Sequence, residues 1–123
     1  RGLTSLSKYD AGSFNVGDMA VNYHYVRQNL DQNGFGHIEI IVNKIEDWVL
    51  ESWTNNFVVC AAIVDANVYY PTISALKWLE PRMATNGIVL IDDTAYSGVQ
   101  KAIVDSGWSD TLTRFGQMAY RIF

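Results

Sequence analysis

The sequence predicts an α/β domain, a mostly parallel sheet flanked by helices and closed at its C-terminus by one antiparallel hairpin. Three observations carry this. Helical and β-type segments alternate along the chain, two central strand segments are too apolar to face water, and the last segment alternates in period two around Gly116 and Gln117. With 49% hydrophobic and 18% charged residues, the 123-residue chain suits a single domain, 1–123, with its own core.

Residues 1–15 are rich in Ser, Gly, Thr and Asp and read as an irregular lead-in, a surface segment first and a lid over a site second. From Asp18, Met19, Tyr23, Val26 and Leu30 recur at helical spacing behind an acidic first turn, and Asn33–Gly34 supplies a stop. HIEIIVN, residues 37–43, is short and β-branched and reads as a strand. Ile45, Trp48, Val49 and Trp53 then share one helical face. FVVCAAIVD, residues 57–65, is apolar without alternation, the pattern of a strand covered on both faces.

Pro71 fits the first turn of the next helix, where its missing N–H is harmless, and Ile73, Leu76 and Leu79 continue an inward face to Pro81. Asn86–Gly87 turns the chain into IVLIDD, and SGVQKAIVDSGW reads as a helix with Val99, Ala102 and Ile103 inward and Gly107 as its stop. DTLTRF and MAYRIF flank a Gly-X pair suited to a type II′ hairpin. The element order is αβαβαβαββ.

Nine basic against 13 acidic residues give a net charge of -4, and no Lys or Arg cluster occurs, so the electrostatic footprint of a nucleic-acid binder is missing. No apolar run reaches the roughly 18 residues of a membrane span, which leads to the expectation of a soluble, cytoplasmic protein. The one cysteine, Cys60, sits in an apolar run and reads as a space-filling small hydrophobe. The chain opens on Arg1, which fits a cut inside a longer protein, and nothing before residue 16 resembles a signal peptide.

In an open parallel sheet, ligands bind outside the carboxyl ends of the strands. Asp65 and Asp92 stand at that end of two successive strands; if these are neighbours, about 4.8 Å apart, their carboxylates can converge on one small cation or substrate group. Asp93 points to the other face in an ideal strand, but a turn beginning there could swing it in. Crowded carboxylates repel until a cation, a shared proton or helix-start N–H groups relieve them, and hard oxygen ligands suit Mg²⁺ or Ca²⁺ rather than zinc. The plainer alternative is that Asp65 and Asp93 cap the turns that follow them. His24 lies off the apolar stripe and reads as solvated, with His37 a weaker candidate base still. Tyr69, Tyr70 and Tyr96 could line a pocket, although packing is their first reading, as it is for Trp48, Trp53 and Trp78. No Gly-rich loop follows an apolar strand, so the usual nucleotide cradle is missing.

The run VDANVYYPTISALKWLEPRMATNGIVLIDDTAYSGVQKAI resembles the macrocin O-methyltransferase family, class I S-adenosylmethionine-dependent enzymes acting on sugar hydroxyls in antibiotic biosynthesis. An acid ends one strand, Tyr and Pro-Thr open a helix, LEPRM closes it, and Asn-Gly, a strand, IDD and a helix-start Gly follow. Weaker similarity extends back through VGDMAVNYHYVRQNLDQNGFGHIEIIVNKIED, so the likeness covers most of the chain. It implies a three-layer Rossmann-like methyltransferase sheet. It also implies that Asp65, Asp92 and Asp93 hold a divalent metal such as Mg²⁺, with Asp65 catalytic in gathering a small-molecule hydroxyl for deprotonation and methyl transfer.

Three departures qualify it. Asn67 stands where a second acid is usual, and Thr94 where an aromatic commonly follows the acid pair. Asn43 and Lys44 occupy the place of an acid expected to touch adenine. The family's first strand with its Gly-rich loop, the next helix, and the second strand with its ribose-binding acid have no counterpart. The expectation is therefore an incomplete or degenerate S-adenosylmethionine-dependent O-methyltransferase domain, not catalytic as this chain alone. The alternatives are a non-enzymatic module for self-association or partner binding, and a Mg-dependent hydrolase. With two strands missing, residues 37–43 and 57–65 should pair directly, giving the order 3-4-5-7-6 in the full fold's numbering. Otherwise two chains should pair along the exposed edge into a homo-oligomer.

Overall fold

The computed structural model describes residue 3 and residues 6–123; of the lead-in, residues 1, 2, 4 and 5 lie outside the described residues. Asn22 starts the first helix, α1 (Tyr23–Gln32), by accepting a hydrogen bond from the His24 N–H at 2.8 Å. The expected start at Asp18 is too early: Met19 has φ 62, outside any right-handed helix. Gly34, at φ 80, makes the stop.

Residues 37–43 form no strand, against expectation. β-branched side chains favour extended backbone, but a strand needs a ladder partner, and among the described residues none pairs with this run. The Arg27 guanidinium takes the Ile38 and Phe35 carbonyls at 2.7 and 3.2 Å, while Ile41 and Val42 stay exposed. Helix α2 (Ile45–Glu51) follows, buries Val49, and ends where Ser52 Oγ donates to the Trp48 carbonyl at 2.7 Å. Trp53 lies beyond it and is exposed rather than core, with the Arg82 guanidinium stacked between it and Trp78 at 5.1 and 4.6 Å.

Strand β1 (Val59–Val64), helix α3 (Tyr69–Leu79), strand β2 (Met83–Ile91), helix α4 (Ser97–Asp105) and the hairpin strands β3 (Thr113–Phe115) and β4 (Met118–Ile122) complete the chain. The sheet order is β1-β2-β4-β3, with β1 parallel to β2 and β4 antiparallel to both β2 and β3. Thus β1, β2 and β3 share one direction and β4 opposes them. This is the expected 4-5-7-6 portion of the fold; the predicted strand beside β1 is absent, so β1 is an edge.

Two local predictions resolve differently. Asn86–Gly87 is a bulge inside β2 rather than a turn before it: Asn86 has φ 63, and pairing jumps from Val59↔Met83 to Ala61↔Ile88. A Cβ on Gly87 would lie 2.8 Å from the Ala84 carbonyl, so the bulge demands glycine there. The hairpin is as read, with Gly116 at φ 59 and Gln117 outside the left-handed region, the signature of type II′.

Val64, Val89 and Ile91 meet Val49 of α2, Leu76, Trp78 and Leu79 of α3, Val99 and Ile103 of α4, and Trp108 in one core. Each fully buried aliphatic contributes about 1.5–3 kcal/mol. All of these strand residues sit on one face. On the other, Ile63 and Ile122 are 71% and 60% exposed. The expectation of a strand covered on both faces therefore fails for β1, whose Ile63 is exposed among the described residues. Cys60, read as space-filling, is exposed, because no helix packs over the irregular start of β1. Among the described residues no helix is long and apolar enough to cross a membrane.

Candidate functional site at the carboxyl rim

Val64 pairs with Ile91, and the Asp92 N–H donates to the Val64 carbonyl at 3.0 Å, so Asp65 and Asp92 leave the sheet side by side. The sequence-level juxtaposition of these two acids therefore holds. Asp92 Oδ1 accepts from the Asp93 N–H at 2.7 Å, and Asp93 adopts φ 55, a left-handed turn that redirects the chain. Asn67, itself at φ 60, donates its Nδ2 to Asp93 Oδ2. Two non-glycine residues in the left-handed region, bonded to each other, mark a rim held in a defined and costly backbone conformation.

The turn that could swing Asp93 inward thus exists, and the turn-capping role falls to Asp92 rather than to Asp65 or Asp93. Burial, then the negative charges of Asp92 and Asp65, hold the Asp93 carboxyl above the usual carboxylate range. Thr94, buried, fixes the same loop by donating its N–H and Oγ1 to the Gln117 carbonyl at 2.8 and 2.9 Å. A hydroxyl there, instead of an aromatic, ties the loop to the β3–β4 turn.

The lead-in covers this end of the sheet. Asp10 is 2% exposed; its Oδ1 accepts from the Tyr69 N–H at 3.0 Å, and its Oδ2 from the Ser7 N–H and Oγ at 2.8 and 2.7 Å. It thereby satisfies an amide at the start of α3, where Val68 gives no side-chain cap. Ser97 Oγ donates to the Tyr9 carbonyl, and Phe14 meets Tyr96 edge-on at 5.0 Å. A side chain on Gly98 would overlap the Asp10 carboxylate, so glycine in the first turn of α4 makes room for it.

Asp10 was not visible as a site residue in the sequence; Ser7-x-x-Asp10 signals only a local turn. Tyr69 packs on Tyr9 at 5.3 Å and donates its hydroxyl to Asp105 at 2.8 Å, a carboxylate also bound by Lys101. The Asp105 hydrogen bond raises the Tyr69 phenol above its ordinary range, while the bonds from Lys101 and Tyr69 lower Asp105. His24 and His37 are exposed and stack on Tyr23 and Phe35 at 5.5 and 6.4 Å, as a solvated face requires.

The carboxylate oxygens are of the right chemistry for a hard dication. Among the described residues, however, no group of three or more His, Cys, Asp or Glu side chains is gathered closely enough to hold a metal ion. Asp92 Oδ1 and Asp93 Oδ2 are instead engaged by the Asp93 N–H and Asn67. For S-adenosylmethionine the described residues offer no strand ending in a glycine-rich turn, and they do not fit that group. What the rim can do unaided is accept hydrogen bonds from a hydroxyl, at carboxylates of which Asp93 titrates above its usual range.

No protein-family model matches the chain, and no curated protein matches it. Solved structures do. The apo structure of CalS11, a TDP-rhamnose 3′-O-methyltransferase of calicheamicin biosynthesis, shares 21% identity over 81% of this chain and 50% of its own, with a TM-score of 0.65. A second structure of CalS11 covers 99% of this chain and 56% of its own at 21% identity and a TM-score of 0.81. The O-methyltransferase NovP covers 84% and 45% at 19% identity and a TM-score of 0.62. The chain spans about half the length of each of these structures. Its strands and helices are laid out as in part of an O-methyltransferase, a mixed α/β fold shared with these neighbours.

Proposed function

We propose that this chain carries the acceptor-side rim of an S-adenosylmethionine-dependent O-methyltransferase domain, of the macrocin O-methyltransferase type, and does not transfer a methyl group by itself. The observation that carries the reading is the acidic rim of Asp65, Asp92 and Asp93 at adjoining strand ends, in a methyltransferase-like sheet without a donor cradle. In this reading Asp65 would receive the proton of a small-molecule hydroxyl, and Asp65, Asp92 and Asp93 would be the residues to hold a Mg²⁺, which would supply positive charge for that deprotonation. Asn67, neutral where an acid is usual, would weaken the hold on such an ion. The proposed setting is the cytoplasm, which suits an unpaired cysteine.

Calorimetric titration tests it. Mg²⁺ should give heat that disappears in Asp93→Asn. S-adenosylmethionine, with or without Mg²⁺, should bind more weakly than about 100 μM, roughly -5.5 kcal/mol. Tighter binding of the donor would make the chain competent alone, and absence of a Mg²⁺ response in the unaltered chain would remove the cation from the rim.

A second reading, a non-enzymatic self-association module, is favoured by one observation: among the described residues β1 is an edge strand with Ile63 exposed.

A further inference from the structure

Asp10 is a buried carboxylate that the rim chemistry does not use. Its Oδ1 meets the Tyr69 N–H at the first position of α3, which a side chain at the cap position cannot serve, since such caps reach the second or third helical amide. Only a group from outside the helix can take that donor, and the chain supplies one from 59 residues upstream. The same carboxylate lies against Gly98 in the first turn of α4, where a Cβ would overlap it. Its neighbours hold on to both helices as well: Tyr9 packs on Tyr69 at 5.3 Å, Ser97 Oγ donates to the Tyr9 carbonyl, and Phe14 meets Tyr96 edge-on at 5.0 Å. The lead-in thus bridges the starts of two helices that leave adjoining strands.

Those helix starts carry the rim. Residues 66–68 alone separate Asp65 from α3, and residues 94–96 alone separate Asp93 from α4. Neither connection has slack: the Val68 N–H donates to the Ala66 carbonyl at 2.7 Å and the Tyr96 N–H to the Asp93 carbonyl at 3.0 Å. The side-chain bond from Asn67 Nδ2 to Asp93 Oδ2 joins the two loops. A change in the spacing of the helix starts has to be taken up at that bond, because packed elements and short hydrogen-bonded loops pass a displacement on rather than absorb it. We infer that Asp10 is a positioning residue for the acidic rim: clamped between the first turns of α3 and α4, it sets the distance across which Asn67 reaches Asp93, and so the mutual placement of Asp65, Asp92 and Asp93. A misplacement of about 1 Å can cost a reacting site about a hundredfold in rate. The inference rests on the rim reading given above for what the acids hold, and on the contacts of the lead-in alone for how they are held.

Hydrogen exchange of the Asn67 side-chain amide, followed by NMR on the isotope-labelled chain, tests it without metal or donor. Asp10→Ala should speed that exchange about tenfold or more, whereas Asp10→Asn, which keeps an oxygen for the Tyr69 N–H, should stay within about threefold of the unaltered chain. Both variants lose the same charge, so the difference between them reports geometry. Asn86→Val, which strains the β2 bulge, should leave the Asn67 exchange unchanged. If Asp10→Ala does not fold, Gly98→Ala displaces the carboxylate from the other side and should give the same acceleration. An unchanged Asn67 amide in either folded variant, or an equal acceleration in Asn86→Val, overturns the inference and leaves Asp10 a stabilising contact only. Mg²⁺ titration separates this from the rim reading: affinity should fall about tenfold in Asp10→Ala and recover in Asp10→Asn. No Mg²⁺ heat from the unaltered chain removes the cation and not the clamp, which the exchange data decide. Mg²⁺ heat with equal affinity in all three chains overturns the clamp and not the cation.

Discussion

Gly98 decides whether the lead-in can sit where it does, because any side chain there displaces the Asp10 carboxylate from the Tyr69 amide. Gly98→Ala should destabilise the chain by about 1–3 kcal/mol in urea unfolding, the usual cost of overpacking. Asp10→Ala should cost a similar amount, roughly 1–3 kcal/mol, by leaving a buried amide unpaired. The double variant should lose less than the sum, since both changes break the same contact. Asp93 supplies a pH dependence. Its folded pKa lies above the ordinary 3.8, so its contribution to stability is full below the unfolded value and is lost as pH rises through the folded one. Asp93→Asn should remove that dependence and raise stability at neutral pH, read from thermal melts at several pH values. Tyr69 should ionise above its ordinary 10.0, and Asp105→Asn should bring its absorbance titration back down. Asp65 and Asp92 were legible in the sequence because an apolar strand that stops on an acid must present it at a rim. Asp10 was not, because its partner amide is 59 residues away and no local pattern announces it.

At the scale of elements, β1, α3, α4 and the hairpin were legible because each carries its own local instruction: an apolar run, a proline in a first turn, a glycine stop, a Gly-X pair. Residues 37–43 carried an instruction too, but a strand is a property of two segments, and no described segment pairs with this one. Met19 shows the converse, since apolar spacing extended the α1 pattern upstream while the cap at Asn22 set the real boundary. The bulge at Asn86 makes an element-level prediction. Asn86→Val should destabilise by about 1–3 kcal/mol, because a β-branched residue resists φ 63, whereas Asn86→Gly should be tolerated. Chemical unfolding of the two variants separates a bulge fixed by conformation from one that merely accommodates asparagine.

At the scale of the whole chain, a well-packed helix side contrasts with the exposed Ile63 and Ile122 of the described sheet, and no local pattern announces the difference. The apolar run of β1 reads the same whether one face is covered or two, since periodicity reports the character of a strand and not the presence of its neighbours. If the chain self-associates, melting temperature should climb as protein concentration rises, because association stabilises only the folded form. The exposed thiol of Cys60 bears on the same question. As the one thiol of this sequence, it can bridge only to a thiol outside this sequence, and it offers a maleimide dye one defined place on the edge strand β1. Energy transfer between differently labelled chains would then report how the chains are arranged without any engineered cysteine.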